Sequence, residues 1–290
     1  MVFEIILYLN KKISSEKIVK TKQDENFPVA SWLIATSLRR HINTFYLFAR
    51  YADDIADSSN INPEEKLNQL KEVDKALLEK VDIGDHNKYA VEHFISSKET
   101  GVSTEHARHL VQAFTMDVKK SRYRNWSELL NYCRFSAAPV GRYLIDLHNC
   151  DESTKKFIDA LCIALQILNH LQDCKKDYLE LDRVYIPETI FKDKGARIED
   201  LSKERTSNKL RNVFNFLLDK VDELILISNK APNLISARGL RLETAIIIII
   251  AKTLSTKLRY RDPLAEYIKL NKFQYIQCII RGLLFKMYNN

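Results

Sequence analysis

An aspartate stands four residues after another aspartate at two places in this chain: Asp53 and Asp57 in ARYADDIAD, then Asp173 and Asp177 in NHLQDCKKDY. A helix puts residues four apart on one face, and like charges so placed repel by about 0.2–0.5 kcal/mol in an isolated helix. Both pairs lie inside otherwise apolar sequence. The spacing therefore asks for two helices with acidic faces and for a cation to compensate them.

The rest of the chain agrees with a helical reading. Six Gly and six Pro in 290 residues fall far below average usage of about 7% and 5%, leaving long segments without breakers. Helices are expected near 31–57, 63–80, 86–97, 103–120, 126–148, 153–180, 202–229, 237–260 and 264–288. Asn62-Pro63 opens one of them, Gly84 and Gly101 punctuate others, and Pro187, Pro232 and Pro263 mark loops or first turns. Pro139-Val140-Gly141 falls inside the 126–148 segment, where it should kink the helix or open its backbone and so help to shape a pocket. With no internal repeat beyond the acidic motifs and no low-complexity linker, residues 1–290 are expected to form a single domain, 1–23 being an N-terminal extension.

Lys and Arg exceed Asp and Glu by 45 to 38, a net charge of +7, and the basic residues are dispersed. That suits an anionic substrate or a membrane surface better than nucleic acid, which is not an expected partner. Five cysteines, Cys133, Cys150, Cys162, Cys174 and Cys278, form no CxxC and are odd in number, arguing against a zinc site or a disulfide framework and for a reducing cytoplasm. The N-terminal MVFEIILYLN carries Glu4 and lacks a basic n-region, so it does not read as a signal peptide. The apolar run Ala245 to Ala251 is far short of the roughly 20 residues that cross a bilayer and reads as a buried core helix.

A helical projection separates two stripes on each acidic segment. Phe45, Phe48, Ala49, Ala52, Ile55 and Ala56 form an apolar one, beside which Tyr46, Arg50, Asp53 and Asp57 fall together while Asp54 points away. On the second segment Ile163, Ile167, Leu171 and Cys174 are apolar, and Gln166, Asn169, His170, Asp173 and Asp177 share the polar stripe. One such acidic pair alone reads as a solvated face. Two, with uncharged amides that suit buried partners or metal-bound water, read as a bed for magnesium carrying a diphosphate, since Mg2+ takes one or two carboxylates and completes its shell with water and phosphate. Arg50 is either a bidentate phosphate contact or a salt bridge to Asp53 or Asp54. For His170 a structural hydrogen bond is at least as good a reading as a role in the site.

At these residues the chain resembles the squalene/phytoene synthase family of isoprenoid enzymes, and within it is most similar to the hydroxysqualene synthase (HpnC) branch. The match runs from DENFPVAS through FARYADDIAD, FTMDVKKSRYRNWSELLNYCRFSAAPVGRYLIDLHN and QILNHLQDCKKDYLELDRVYIP to LRLETA and RYRDPLAEYIKLNK. The acidic motifs mark the wider family, whereas ENFPVAS, APVGRYLIDLH and LDRVYIP point to the branch.

The resemblance implies an all-α, single-domain isoprenoid-synthase helical bundle around a central cavity, with the acidic motifs facing each other at its mouth. It implies Mg2+ as cofactor, with Asp53, Asp57, Asp173 and Asp177 as metal-binding and catalytic residues. It puts Tyr46, Arg50, Gln166 and Asn169 at the diphosphate substrate, Asn26 where the N-terminal segment closes the site, and Arg183 and Tyr185 in a supporting place after the second motif. The implied reaction is ionisation of presqualene diphosphate, rearrangement, and capture by water to give hydroxysqualene and diphosphate in squalene and hopanoid biosynthesis. Head-to-head condensation of two prenyl diphosphates, to presqualene diphosphate, squalene or phytoene, is the alternative within enzymes. A non-catalytic subunit of an isoprenoid complex is the alternative outside them. A reductive squalene synthase would also need NADPH, and the glycines form no GxGxxG, a fingerprint that family members using NADPH do not require.

A carbocation needs apolar and aromatic walls, for which Phe27, Trp32, Phe45, Phe48, Phe135 and Tyr143 are candidates, each with ordinary core packing as the better reading. The tyrosine that related carotenoid enzymes place over the cavity has no counterpart in AIIIIIAKTL. In 272–290, Tyr275, Ile276, Ile279, Ile280, Leu283, Leu284 and Met287 lie apart from Lys272, Arg281 and Lys286. This segment either packs on the bundle, the favoured reading, or forms an interfacial helix. A cytoplasmic enzyme with peripheral contact at the inner membrane face, alongside other squalene-pathway enzymes, is the matching expectation.

Overall fold

The structure, a computed structural model, describes residues 33–79, 81–84 and 86–288. The expected N-terminal extension, Asn26, Phe27 and Trp32 lie outside the described residues. Within them the fold is all-α, its nearest approach to a sheet being an isolated parallel bridge between Arg122 and Val184.

Helix α1 (Thr36–Asp57) carries the first acidic pair, and its buried side is the predicted stripe from Phe45 to Ala56 together with His41, Ile42 and Asp53. It packs on α2 (Pro63–Leu78), α3 (Lys88–Thr100) and α4 (Glu105–Lys119). The start of α2 is set by Asn62, whose side chain accepts from the Glu65 N–H at 2.9 Å with Pro63 in the first turn. Gly101 ends α3 in the left-handed conformation, φ 73°. Two short helices, α5 (Trp126–Ser136) and α6 (Ala138–Leu147), lead to α7 (Lys155–Leu181), which carries the second acidic pair. Every residue of α7 from Ala160 to Cys174 is buried, which makes it the central element of the bundle. Short α8 (Glu188–Asp193) follows, then α9 (Asn208–Ser228), capped by Ser207, α10 (Ala231–Leu234), α11 (Arg238–Tyr260) and α12 (Lys272–Tyr288). Helices α6, α9 and α11 surround α7, and α12 packs on α11.

The structure corrects three sequence expectations. The helix expected over 126–148 is broken at Ala137 (φ −123°, ψ −49°), two residues before Pro139, so the proline sits in the first turn of a new helix rather than at a kink. The helix expected from 264 begins at Lys272. Its first residues instead run non-helically over α7, where Leu264, Ile268 and Leu270 are buried and Lys175 donates to the Leu264 carbonyl at 3.1 Å. The helix expected from 202 starts at Asn208, because residues 198–202 form a separate 3-10 turn. The isoleucine run lies in α11 and is largely buried, as expected, and among the described residues no helix is long and apolar enough to cross a membrane.

Gly141 sets how closely α6 approaches α7. A Cβ there would lie 2.2 Å from Ile158 Cγ2 and 2.6 Å from Cys162 Sγ. Gly141→Ala should therefore cost about 1–3 kcal/mol through overpacking and lower the melting temperature followed by circular dichroism. An unchanged melting curve would refute the contact.

Candidate active site

The site is assembled where α1 and α7 end. After Leu181 the chain reverses at Asp182, a non-glycine residue in the left-handed region at φ 51°. The turn is tied by the Arg183 N–H, which donates to the Asp177 carbonyl at 3.0 Å, and by Arg122, which pairs with the Asp182 carboxylate. Residues 183–185 then run extended beside 121–123, with the Val184 N–H donating to the Ser121 carbonyl at 2.9 Å. Alternation along an extended chain puts Arg183 and Tyr185 on one side, and both line the cavity.

That cavity, about 450 Å³ including its open mouth, receives Asp53 and Asp57 from α1, Phe114 and Asp117 from α4, and Tyr132 and Ser136 from α5. Gln166, Asp177 and Leu181 come from α7. Arg183 Nη1 donates to Asp57 Oδ1 at 2.7 Å, and both side chains are about nine-tenths buried. Asp117 accepts from the Tyr132 hydroxyl at 2.7 Å and from the Tyr185 hydroxyl at 3.0 Å.

Charge in this small volume is unbalanced. Burial lifts the Asp117 carboxyl to about 6, with Arg183 and the Tyr132 hydrogen bond pulling the other way. Burial, and then the neighbouring Asp173, push Asp177 well above the usual carboxylate range. Burial also opposes the charge of Arg183, but Tyr185, Asp117 and Asp57 around it outweigh that and raise its pKa. Acids that hold their protons because burial, and after it neighbouring acids, disfavour their charge are a fit for added positive charge. Among the described residues no three acidic, histidine or cysteine side chains converge on one point. The donor set thus suits an ion held by one or two carboxylates that completes its shell with water and phosphate, as Mg2+ does.

Of the sequence-predicted residues, the structure brings Asp53, Asp57, Gln166, Asp177, Arg183 and Tyr185 to one wall. Asp173 and Asn169 are buried on α7 without lining that cavity, although Asp173 is near enough to act on Asp177 and on Tyr267. Tyr46 packs half-buried against the core. Arg50 Nε lies 3.9 Å from Asp54 Oδ2, both side chains partly exposed. His170 departs from its expected hydrogen bond: neither ring nitrogen has a partner among the described residues. Its ring is held instead by stacking on Tyr185, centroids 3.7 Å apart, and burial followed by the Arg183 charge lowers its pKa to about 3, so it is neutral.

Asp117, Phe114, Tyr132 and Ser136 were not singled out by the sequence. Their only signal was spacing, three apart on α4 and four apart on α5, which ordinary core positions share. The aromatic candidates went elsewhere. Phe45 stacks on Tyr143 at 4.2 Å, Phe48 on His93 at 5.6 Å, and Phe135 meets His109 edge-on at 5.3 Å, all as core packing.

Folding raises the Asp117 pKa from 3.8 to about 6. Its contribution to stability is therefore fully present below about pH 4 and lost as pH rises through 6, because the folded state binds the extra proton in that window. Denaturant titrations in a chelator should show wild type losing on the order of 3 kcal/mol relative to Asp117→Asn between pH 4 and 7. A difference that stays constant across the window would overturn this account of the cavity.

The family model described as squalene/phytoene synthase matches residues 20–274. A hydroxysqualene synthase of Rhodopseudomonas palustris is 40% identical over 257 residues, covering 89% of this chain and 87% of the relative. One of Sinorhizobium fredii is 39% identical over 254 residues, covering 88% and 86%. The crystal structure of the squalene synthase HpnC from Alicyclobacillus acidocaldarius matches with TM-score 0.72 at 25% identity, covering 89% of this chain and 93% of that one. The chain, with its two acidic helices meeting at one cavity, belongs to the squalene/phytoene synthase family and is an isoprenoid-processing enzyme.

Proposed function

We propose that the protein is a hydroxysqualene synthase, which ionises presqualene diphosphate, lets the cyclopropylcarbinyl cation rearrange and captures it with water, releasing hydroxysqualene and diphosphate. The observation that carries this reading is that acidic helices 120 positions apart in sequence deliver Asp53, Asp57, Asp177 and Gln166 to a single cavity with Arg183. Relatives bearing that name match over nearly their whole length.

Asp53, Asp57, Asp173 and Asp177 are the residues that would hold magnesium, which when bound supplies Lewis-acid stabilisation of the departing diphosphate. The Arg183 guanidinium adds a fixed positive charge at the same wall, and the Gln166 amide a neutral donor for phosphate oxygens. Phe114, Leu181 and the rings of Tyr132 and Tyr185 make the remaining wall apolar or aromatic, which excludes bulk water and offers π-electron density to a cation. With their hydroxyls donated to Asp117, both tyrosine rings are fixed in place.

Purified protein given magnesium should release diphosphate and form the alcohol from presqualene diphosphate, and Asp53→Ala or Asp173→Ala should abolish both. Consumption of farnesyl diphosphate alone would favour the condensation reading, and full activity in either alanine variant would refute the metal assignment.

The same reading places the enzyme in the cytoplasm, alongside other squalene-pathway enzymes and in peripheral contact with the inner membrane face, because substrate and product are long hydrocarbons. Helix α12 supports it. Cys278, Gly282, Tyr275 and Ile279 face α11 or the core, whereas Phe273, Ile276, Ile280, Leu283 and Leu284 are exposed on a second face. Exposed Lys269, Lys272 and Arg281 flank that face, and no acidic residue follows Glu266, so two copies meeting there would repel while an anionic bilayer would attract. Full-length protein should float with phosphatidylglycerol vesicles and much less with phosphatidylcholine alone, and Ile276→Glu with Ile280→Glu should abolish flotation. Equal flotation of that variant, or its failure in wild type, would overturn the contact.

A further inference from the structure

Ser136 is a hydroxyl on the cavity wall that no described residue satisfies. Its side chain lines the cavity, the residue is 5% exposed, and Oγ is buried without a hydrogen-bond partner among the described residues. Thr154, which does not line this cavity, is likewise buried without a hydrogen-bond partner among the described residues, but five other helical hydroxyls behave differently. Thr44, Thr100, Thr244, Thr253 and Thr256 each donate to the carbonyl four residues earlier at 2.8–2.9 Å, the ordinary way such a group is satisfied within a helix. Ser136, the last residue of α5, makes no such bond. A buried hydroxyl left unpaired costs about 1–3 kcal/mol, so a serine held here calls for a partner, and the space its side chain faces is the cavity.

The other two hydroxyls of that wall are already committed, since Tyr132 and Tyr185 both donate to Asp117. The rest of the wall is Phe114, Leu181 and the two tyrosine rings together with Asp53, Asp57, Asp117, Gln166, Asp177 and Arg183, so Ser136 adds a small neutral hydroxyl to it. A small neutral hydroxyl that can hold one water is what a reaction needs if it must exclude bulk water and still admit a single water molecule.

We propose that Ser136 Oγ seats the water that captures the rearranged carbocation, making it the water-positioning residue of the cavity. This rests on the hydroxysqualene synthase reading and deepens it. In the first step the C–O bond to the diphosphate breaks and its electron pair leaves with the diphosphate. After rearrangement, the seated water gives a lone pair of its oxygen to the cation, forming the C–O bond of the alcohol, and the surplus proton passes to the diphosphate released in the first step. Nothing is oxidised or reduced. Without a seated water the cation ends by losing a proton from a neighbouring carbon, which yields a hydrocarbon in place of the alcohol. The hydroxyl thus decides between products while leaving ionisation untouched.

The experiment incubates presqualene diphosphate and magnesium with wild type, Ser136→Val, Ser136→Ala and Ser136→Thr, and measures diphosphate release together with the ratio of alcohol to hydrocarbon. Valine fills the space without a hydroxyl, alanine serves should valine not fold, and threonine returns the hydroxyl. Diphosphate release in each variant is the reference against which its products are read. The alcohol-to-hydrocarbon ratio should fall about tenfold in the valine or alanine variant, as loss of one hydrogen bond allows, and be restored by threonine. A ratio unchanged from wild type would overturn the proposal. So would a folded variant in which release and alcohol fall in parallel, which would put Ser136 in ionisation or packing. Failure of wild type itself to form the alcohol would count against the hydroxysqualene synthase reading instead, and so is told apart from failure of the Ser136 assignment.

Discussion

Four carboxylates, Asp53, Asp57, Asp117 and Asp177, share a largely buried wall with the Arg183 guanidinium, and the surrounding structure is arranged to tolerate that imbalance. Burying a charge is expensive unless it is paired. The chain answers in three ways. Asp57 is paired directly with Arg183, Asp117 is hydrogen-bonded by two tyrosines and drawn toward its neutral form, and Asp177 is pushed toward protonation by burial and by Asp173. Under the proposed reading a divalent cation carrying a diphosphate would add the positive charge that this wall is short of. Removing one partner of a buried ion pair typically costs about 3–5 kcal/mol, so Arg183 is bound to the integrity of the site as well as to its chemistry.

The bundle and the acidic helices were legible because both are written locally. A four-residue spacing beside an apolar stripe predicts a helix and its buried face together, and Phe45 to Ala56 and Ile163 to Cys174 are buried as that pattern requires. Two elements of the site escaped for the opposite reason. Asp117 lies in FTMDV and Ser136 in RFSAA, where neither neighbours nor period set them apart from any half-buried helical position. What gives them meaning is the packing of α4 on α5 and of α5 on α7, which brings both to one cavity, and no local pattern encodes that. His170 stood on the correct stripe, but whether a polar ring is hydrogen-bonded or stacked depends on Tyr185, which reaches it only because the chain turns at Asp182.

That turn shows how much a single backbone conformation decides. A left-handed residue other than glycine is uncommon and is tolerated best by Asp or Asn. Here the Asp182 side chain also engages Arg122, anchoring the following segment beside residues 121–123. The result is an extended register in which Arg183 and Tyr185 alternate into the cavity while Val184 turns away and is buried. Shifting that register by one residue would exchange the guanidinium for an isopropyl group, so the turn and the cavity wall are one feature.

The break between α5 and α6 has a comparable logic. A continuous helix from Trp126 to Leu147 would have to present Tyr132 and Ser136 to the cavity and Gly141 to Ile158 and Cys162 along a single straight axis. Ending the first helix at Ser136 and starting the second with Pro139 in its first turn frees the two directions from each other. The first helix can then be aimed at the cavity, and the second can close on α7 to the distance that only a glycine allows. Since α7 carries Gln166, Asn169, Asp173 and Asp177 in a stretch almost wholly buried, its position must be held by packing against apolar neighbours rather than by its own polar groups. The close contact at Gly141 thus supports the acidic helix from behind, and the interruption at Ala137 is what lets support and cavity wall come from adjacent parts of the chain.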